Sequence, residues 1–234
     1  MIFITGVSRG FGKAIAELYL SKGEKVTGIG RSSTIEHPKF SFIQCDLSDL
    51  DAVRKIEFDD FFESVTLINN AGIIGEINRL SDMEMDDVDH VMTVNVSAPV
   101  ILTQNIYKKV ENKDLFTLVN ISSGAANRAI PSWASYCASK AALNMFTETF
   151  LLEEQEKGNQ PKVFAVAPGV IDTGMQDQIR ATNPAKFSSL ANFKLLKEEN
   201  KLFSPEEAAQ KLYQLVHSEQ AGDFFVDLRN VTIQ

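Results

Sequence analysis

Short apolar runs alternate with longer amphipathic stretches along almost the whole chain, and this alternation limits the fold more than any other feature. Residues 2–5, 25–29, 40–45, 65–68, 116–121, 162–167 and 223–226 read as seven strands, rich in β-branched and aromatic side chains. Residues 12–21, 48–64, 84–111, 132–157 and 205–217 read as helices, the third interrupted near Pro99. Strands that are apolar throughout, with a helix between most successive pairs, imply a parallel sheet covered on both faces. Right-handed crossovers then give an α/β fold with a doubly wound, seven-stranded parallel sheet. No linker rich in Pro, Gly or Ser divides residues 1–234, so one domain is expected. Residues 173–203 are the least regular segment; following the sixth strand, they are expected to form a substrate lid.

Hydrophobic residues make up 44 % of the chain and the formal net charge is -8. The first value supports a large core; the second argues against nucleic-acid or anionic-membrane partners, which require basic surfaces. Cys45 and Cys137 form no disulfide framework, which points to a reducing, cytoplasmic compartment. His37, His90 and His217 lie far apart, with no metal-ligand spacing, so no metal site is expected. Thr5-Gly6 cuts short the opening apolar run, leaving it too brief for a signal peptide or a membrane span. The chain is therefore expected to open directly on its first strand.

Between the first strand and first helix lies Gly6-Val7-Ser8-Arg9-Gly10-Phe11-Gly12. Glycines permit a tight turn and close backbone approach, and the helix start offers free N–H groups and a positive dipole end. That combination suits a pyrophosphate; a tight turn without a ligand is the plainer alternative. Asn69-Asn70-Ala71-Gly72 follows the fourth strand, Tyr136-Cys137-Ala138-Ser139-Lys140 lies in the fourth expected helix, and Pro168-Gly169 follows the sixth strand. In this order and spacing the four segments resemble the short-chain dehydrogenase/reductase family, over nearly the whole chain. The resemblance implies a Rossmann fold binding a nicotinamide dinucleotide. It assigns cofactor contacts to Gly6, Ser8, Arg9, Gly10, Phe11 and Gly12, and to Asn70, Ala71 and Gly72. Asp46, with Leu47 beside it, matches the family's adenine-binding acid, although Asp46 could equally cap the helix that follows. Pro168, Gly169, the Ile171 backbone and the Thr173 hydroxyl match the turn that holds the nicotinamide carboxamide.

NAD-binding folds place an acid at the end of the second strand for the ribose 2′-hydroxyl. Here Gly28-Ile29-Gly30-Arg31-Ser32 has none, and Arg31 with Ser32 can instead take a 2′-phosphate. Arg9 lies where the family often places a second phosphate-binding cation. The expected cofactor is therefore NADP(H), the alternative being that both arginines are solvated surface residues.

Tyr136 and Lys140, four positions apart in a helical pattern, share one helix face. A phenol with a reference pKa of about 10 is a weak acid–base catalyst, and a nearby ammonium is expected to lower that value. The pair can protonate a developing alkoxide. By the resemblance, Lys140 also binds the nicotinamide ribose, Ser123 rather than Ser122 holds the substrate carbonyl oxygen, and Asn95 positions water for a proton relay. Asn95 could also serve as a buried amide that satisfies backbone groups.

Trp133, Val170 and Met175, with Ala125, Ile130 and Ile179, are the candidate substrate contacts; core packing is their alternative. The segment from Ala167 to Gln176, followed by Ile179-Arg180, resembles the sepiapterin reductase and benzil reductase branch of the family. That likeness implies NADPH-dependent reduction of a ketone or vicinal diketone to a secondary alcohol, with Asp172 as a polar anchor or a helix cap. An NAD-dependent alcohol dehydrogenase and a non-catalytic NADPH-binding sensor are the competing readings. The segment between Asp46 and Asn69 is short for the family, and the usual Asp-Gly-Gly finish is absent. The family commonly assembles through its two long helices, so a homodimer or homotetramer is expected, with Leu143, Phe146 and Phe150 at the interface or in the core.

Overall fold

The computed structural model describes residues 1–58, 61–218 and 223–233. Its centre is a seven-stranded, all-parallel sheet of β1 (Ile2–Thr5), β2 (Val26–Gly30), β3 (Phe40–Gln44), β4 (Val65–Asn69), β5 (Phe116–Ile121), β6 (Lys162–Ala167) and β7 (Phe225–Asp227). The order across the sheet is β3-β2-β1-β4-β5-β6-β7. Winding therefore reverses between β1 and β4, which opens a crevice at the carboxyl ends of those strands.

Alternate residues of each strand feed opposite faces. Ile2 and Ile4 of β1 pack in the layer that holds α1 (Gly10–Ser21); Phe3 packs into the other layer. The first layer also holds Ile68, Val119 and Val166, and buries Ala208, Leu212 and Val216 of α8 (Pro205–His217). The second layer sets Leu67, Phe116 and Leu118 against Ala98, Leu102 and Ile106 of α4 (Ala98–Lys108), with Phe146 and Phe150 of α5 (Ala134–Glu156) along its edge. Burial on both faces is why these strands carry apolar residues at successive positions. Leu143 is buried, whereas Phe146 and Phe150 are half-buried. Among the described residues no helix is long and apolar enough to cross a membrane.

Three elements depart from the sequence reading. The helix expected over 48–64 is only α2 (Leu50–Arg54), capped by Asp49, whose side chain accepts from the N–H groups of Asp51 and Ala52; residues 59 and 60 lie outside the described residues. Tertiary packing overrides the helical pattern here. Phe58 and Phe62 stand edge-on to Phe3 at 5.2 and 5.4 Å, and Phe62 exchanges 2.8 Å backbone bonds with Lys109 and Glu111. The helix expected over 84–111 divides into α3 (Met85–Met92), a π-helical turn Thr93–Ser97, and α4. The interruption expected near Pro99 is this π-helical turn, which ends two residues before it, and Pro99 itself sits in the first turn of α4. The last strand begins two residues later than its apolar run suggested.

The segment after β6 carries α6 (Gly174–Arg180) and α7 (Leu190–Glu198). Its two ends meet at one point: Phe203 N–H donates to the Val170 carbonyl at 3.0 Å, and Asp172 N–H donates to Phe203 at 2.9 Å. Segment 173–203 is thus an excursion with both feet beside the end of β6.

Candidate active site

A cleft of about 1250 Å³ follows the carboxyl edge of the sheet. Arg9, Arg31, Arg128, Lys140, Arg180, Lys197 and Arg229 line it, against Asp46, Asp172, Asp177 and Asp227. Cations therefore outnumber carboxylates here in a chain of net charge -8. This local excess suits a ligand bearing phosphates.

One half of the cleft is built around the glycine loop. Gly6 has φ of 75°, in the left-handed region. A Cβ on Gly12 would lie 2.3 Å from both the Gly6 carbonyl oxygen and Asn70 Nδ2, so only glycine allows α1 to start this close to β1. Asn70 Nδ2 donates to the Thr5 carbonyl at 2.9 Å, and Ala71 N–H donates to Thr5 Oγ1 at 2.9 Å. These bonds tie the loop after β4 to the loop after β1. Ser8, Gly10, Phe11, Gly72, Ser32 and Leu47 line the same half.

Asp46 also lines this half, but it does not cap α2; Asp49 does. Asp46 accepts from Ser48 N–H at 3.0 Å and from its hydroxyl at 2.8 Å, which holds its carboxyl below the usual range, with help from the nearby Arg31 charge. The charge of Arg31 is thus felt at the Asp46 carboxyl. The Arg9 guanidinium lies instead against the first turn of α6, its Cζ 3.7 Å from where a Cβ on Gly174 would be.

The other half gathers the acid–base candidates. Ser123, following β5, accepts a 3.1 Å bond from Ala125 N–H, and its hydroxyl is paired with that of Tyr136. Ser122 is buried and turned inward, its hydroxyl donating to Asn144. Tyr136 and Lys140, on α5, are 6 % and 4 % exposed. Lys140 Nζ sits 5.8 Å from the Tyr136 ring centroid and donates to the Ile121 carbonyl at 2.8 Å.

Burial lowers the Lys140 pKa to about 8. Burial also raises that of Tyr136, opposed by its hydrogen bond with Ser123. The acidification of Tyr136 expected from its lysine neighbour does not emerge: removing a phenolate from water costs more than the Ser123 bond returns.

Of the named candidates, only Asn95 does not line the cleft. It is fully buried in the π turn beneath it. Its Oδ1 accepts from Ile73 N–H at 2.8 Å, and its Nδ2 donates to the Ile73 carbonyl at 2.8 Å and to Ser139 Oγ at 3.0 Å. A Cβ on Gly72 would lie 3.3 Å from both Asn95 Oδ1 and Lys140 Nζ, so the two residues flank the same point.

Trp133 meets the Tyr136 ring edge-on at 5.6 Å and stacks on Phe187 at 5.3 Å. Phe193 of α7 completes this aromatic wall, with Ile179 of α6 in the same cluster. Val170, Met175, Ala125 and Ile130 also line the cleft, as do Pro168, Gly169, Ile171 and Thr173. Asp172 is neither buried nor a cap: it forms ion pairs with Lys197 and, at 3.4 Å, with Arg180. Arg128, Phe193 and Lys197 face the cleft without belonging to any motif, and Gln176, the last residue of the segment that resembles the reductase branch, faces it too. The four-residue spacing of Gln176 with Arg180, and of Phe193 with Lys197, is the sequence signal that marks them.

The description short chain dehydrogenase belongs to the family model that matches residues 1–184. Benzil reductase ((S)-benzoin forming) of Bacillus subtilis (strain 168) is 34% identical, over 98% of this chain and 98% of its own. Sepiapterin reductase of Rattus norvegicus is 30% identical, over 95% of each chain. A solved short chain dehydrogenase/reductase from Saccharomyces cerevisiae superposes with a TM-score of 0.85 at 28% identity, covering 98% of this chain and 96% of that one. The chain is an oxidoreductase of the short-chain dehydrogenase/reductase family, in the branch that holds the benzil and sepiapterin reductases.

Proposed function

We propose that this protein reduces a ketone or vicinal diketone to a secondary alcohol with NADPH. The observation that carries this reading is the convergence of Ser123, Tyr136 and Lys140 at one end of a cleft whose other end presents Arg31 and Ser32. The cradle at Gly6, Gly12 and Asn70, which a Cβ would fill, fits a dinucleotide pyrophosphate. Arg31 and Ser32 would hold the 2′-phosphate, Asp46 and Leu47 the adenine, and Ile171 and Thr173 the carboxamide. When bound, the cofactor supplies hydride.

The chain's own residues supply position and a proton. Ser123 donates to the carbonyl oxygen, since its own oxygen is already engaged by Ala125 N–H. Tyr136, its pKa raised by burial, stays a neutral phenol at neutral pH and donates its proton to the oxygen of the forming alcohol. Lys140 is held by the Ile121 carbonyl and is mostly cationic below about pH 8, where it stabilises the charge left on the tyrosine oxygen. The wall of Trp133 and Phe193 favours an aryl substituent. In this reading segment 173–203 acts as the lid, the two free cysteines suit a reducing cytoplasm, and the α4–α5 side, with Met145 and Leu152 exposed, pairs copies into a homodimer or homotetramer.

Cofactor oxidation across aromatic diketones, pterins and simple ketones tests the reading. Faster turnover of diketones with NADPH than with NADH is expected. No oxidation of either cofactor across the panel would favour a non-catalytic role, and a preference for NADH would overturn the cofactor assignment.

A further inference from the structure

Beyond its two feet, segment 173–203 makes three polar contacts with the body of the protein. Gln178 Nε2 donates to the Gly75 carbonyl at 3.0 Å, Lys186 Nζ pairs with Glu76 Oε1 at 3.6 Å, and Ser132 Oγ donates to the Lys186 carbonyl at 2.6 Å. The body side is fixed. Ile73 is held through both backbone groups by Asn95, and Glu76 N–H donates to Asp87 Oδ2 at 2.9 Å. A Cβ on Gly75 would lie 2.4 Å from Val91 and 2.6 Å from Asp87, so this loop is pressed onto α3 as closely as a glycine allows. Ser132 has φ of 74°, a left-handed backbone that is costly for serine and persists where surrounding contacts impose it. The lid side is braced by Asp172, which pairs with Arg180 of α6 and Lys197 of α7. Between the two sides, Ile74 and Ile77 of the loop, Trp133, and Phe187, Leu190 and Phe193 of the lid are buried in one cluster.

We infer that these contacts form a clasp: segment 173–203 lifts as a braced piece from a fixed post at residues 73–78, and the substrate end of the cleft opens when the Gln178, Lys186 and Ser132 contacts break. The hinge lies at the feet, where Val170, Asp172 and Phe203 stay joined by backbone bonds. The inference rests on the lid reading and adds to it the seat, the hinge and the residues that set the opening equilibrium. The seat is one ring away from the proposed acid, since Trp133 meets Tyr136 edge-on at 5.6 Å. A seated lid shields the reacting oxygen from water, and a lifted lid lets product leave. Gln178, Lys186 and Glu76 lie near the surface, so each of their contacts is weak. The apolar seat holds the lid down, and the polar contacts fix where it lands.

Trp133 supplies the readout, because it is the chain's single tryptophan and gives one indole signal. Its Nε1 is buried and bonds to no described residue, and its ring stacks on Phe187 of the lid at 5.3 Å. The indole proton therefore exchanges with solvent when the lid lifts, at a rate proportional to the open population. Its exchange should be followed by NMR at fixed pH in ligand-free wild type, Gln178→Ala and Ser132→Ala, over a range of low urea concentrations. Wild-type exchange should depend far less on urea than global unfolding does, because lifting one segment exposes little surface. Gln178→Ala should exchange about two- to fivefold faster than wild type, the lower part of the range for one exposed hydrogen bond, and Ser132→Ala about tenfold faster. Exchange with the full urea dependence of global unfolding, or an unchanged rate in either variant, would overturn the clasp. The measurement needs no substrate, so failure of the reductase reading would show separately, as no oxidation of NADPH by benzil.

Discussion

Lys140 donates a 2.8 Å hydrogen bond to the Ile121 carbonyl, which fixes the ammonium beneath the tyrosine rather than in solvent. Both residues belong to the framework of the site: β5 ends at Ile121, and α5 carries Lys140. With its pKa lowered to about 8 by burial alone, Lys140 loses its charge within reach of ordinary buffers. Reductase kcat/KM should therefore fall as pH rises through about 8, because the cation that supports Tyr136 is then lost. Lys140→Arg should flatten that limb, since a guanidinium stays charged, whatever its effect on the maximal rate.

Folding stability should move the other way. The folded pKa lies below the ordinary 10.5, so between about pH 8 and that value the unfolded chain binds the extra proton. This group then makes stability rise with pH across that window. Denaturant titrations at pH 8 and pH 10, in wild type and Lys140→Met, isolate the contribution as the part of the rise that the variant lacks.

Arg31 directly follows β2, where NAD-binding folds of this kind place an acid. Arg31→Asp should weaken NADPH binding by about ten- to hundredfold and shift preference toward NADH, since it replaces a charge-assisted contact with a repulsive one. Steady-state kinetics with both cofactors check this, and an unchanged preference would remove Arg31 from the 2′-phosphate site.

Asn95 bonds to both backbone groups of Ile73, so its removal leaves a part-buried donor and acceptor without that partner. Asn95→Ala should cost toward the low end of roughly 2–6 kcal/mol in urea unfolding, at 1–3 kcal/mol for each orphaned group, because both bonds are only part-buried. A stability loss of that size would make structural support its first role. Undiminished stability with lost turnover would instead favour the proton relay.

Much of this architecture is legible in the sequence because burial on both faces writes itself as continuous apolar strands, and the glycine loop requires specific residues. The loop after β6 is likewise readable, since Pro168-Gly169 and Thr173 stand in fixed order around the strand end. The π turn is not: Thr93–Ser97 has the same helical periodicity as its neighbours, and the bonds Asn95 makes from it run to Ile73 and Ser139, far away in sequence. The short α2 is hidden for a similar reason, because Phe58 and Phe62 obey a helical spacing but are drawn to Phe3. The ion pair of Asp172 with Lys197 of α7 joins positions 25 residues apart, a pairing that local patterns do not encode.

The central claim, that the Tyr136 hydroxyl delivers the proton to a reduced carbonyl, is tested most directly by Tyr136→Phe. NADPH oxidation with benzil and NADPH affinity by fluorescence should be measured on the same preparation. Turnover should fall by about 10²–10⁴-fold with affinity changed less than about threefold, as expected when a general acid is lost but the binding cleft is kept. Turnover close to wild type in a folded, NADPH-binding variant would contradict it.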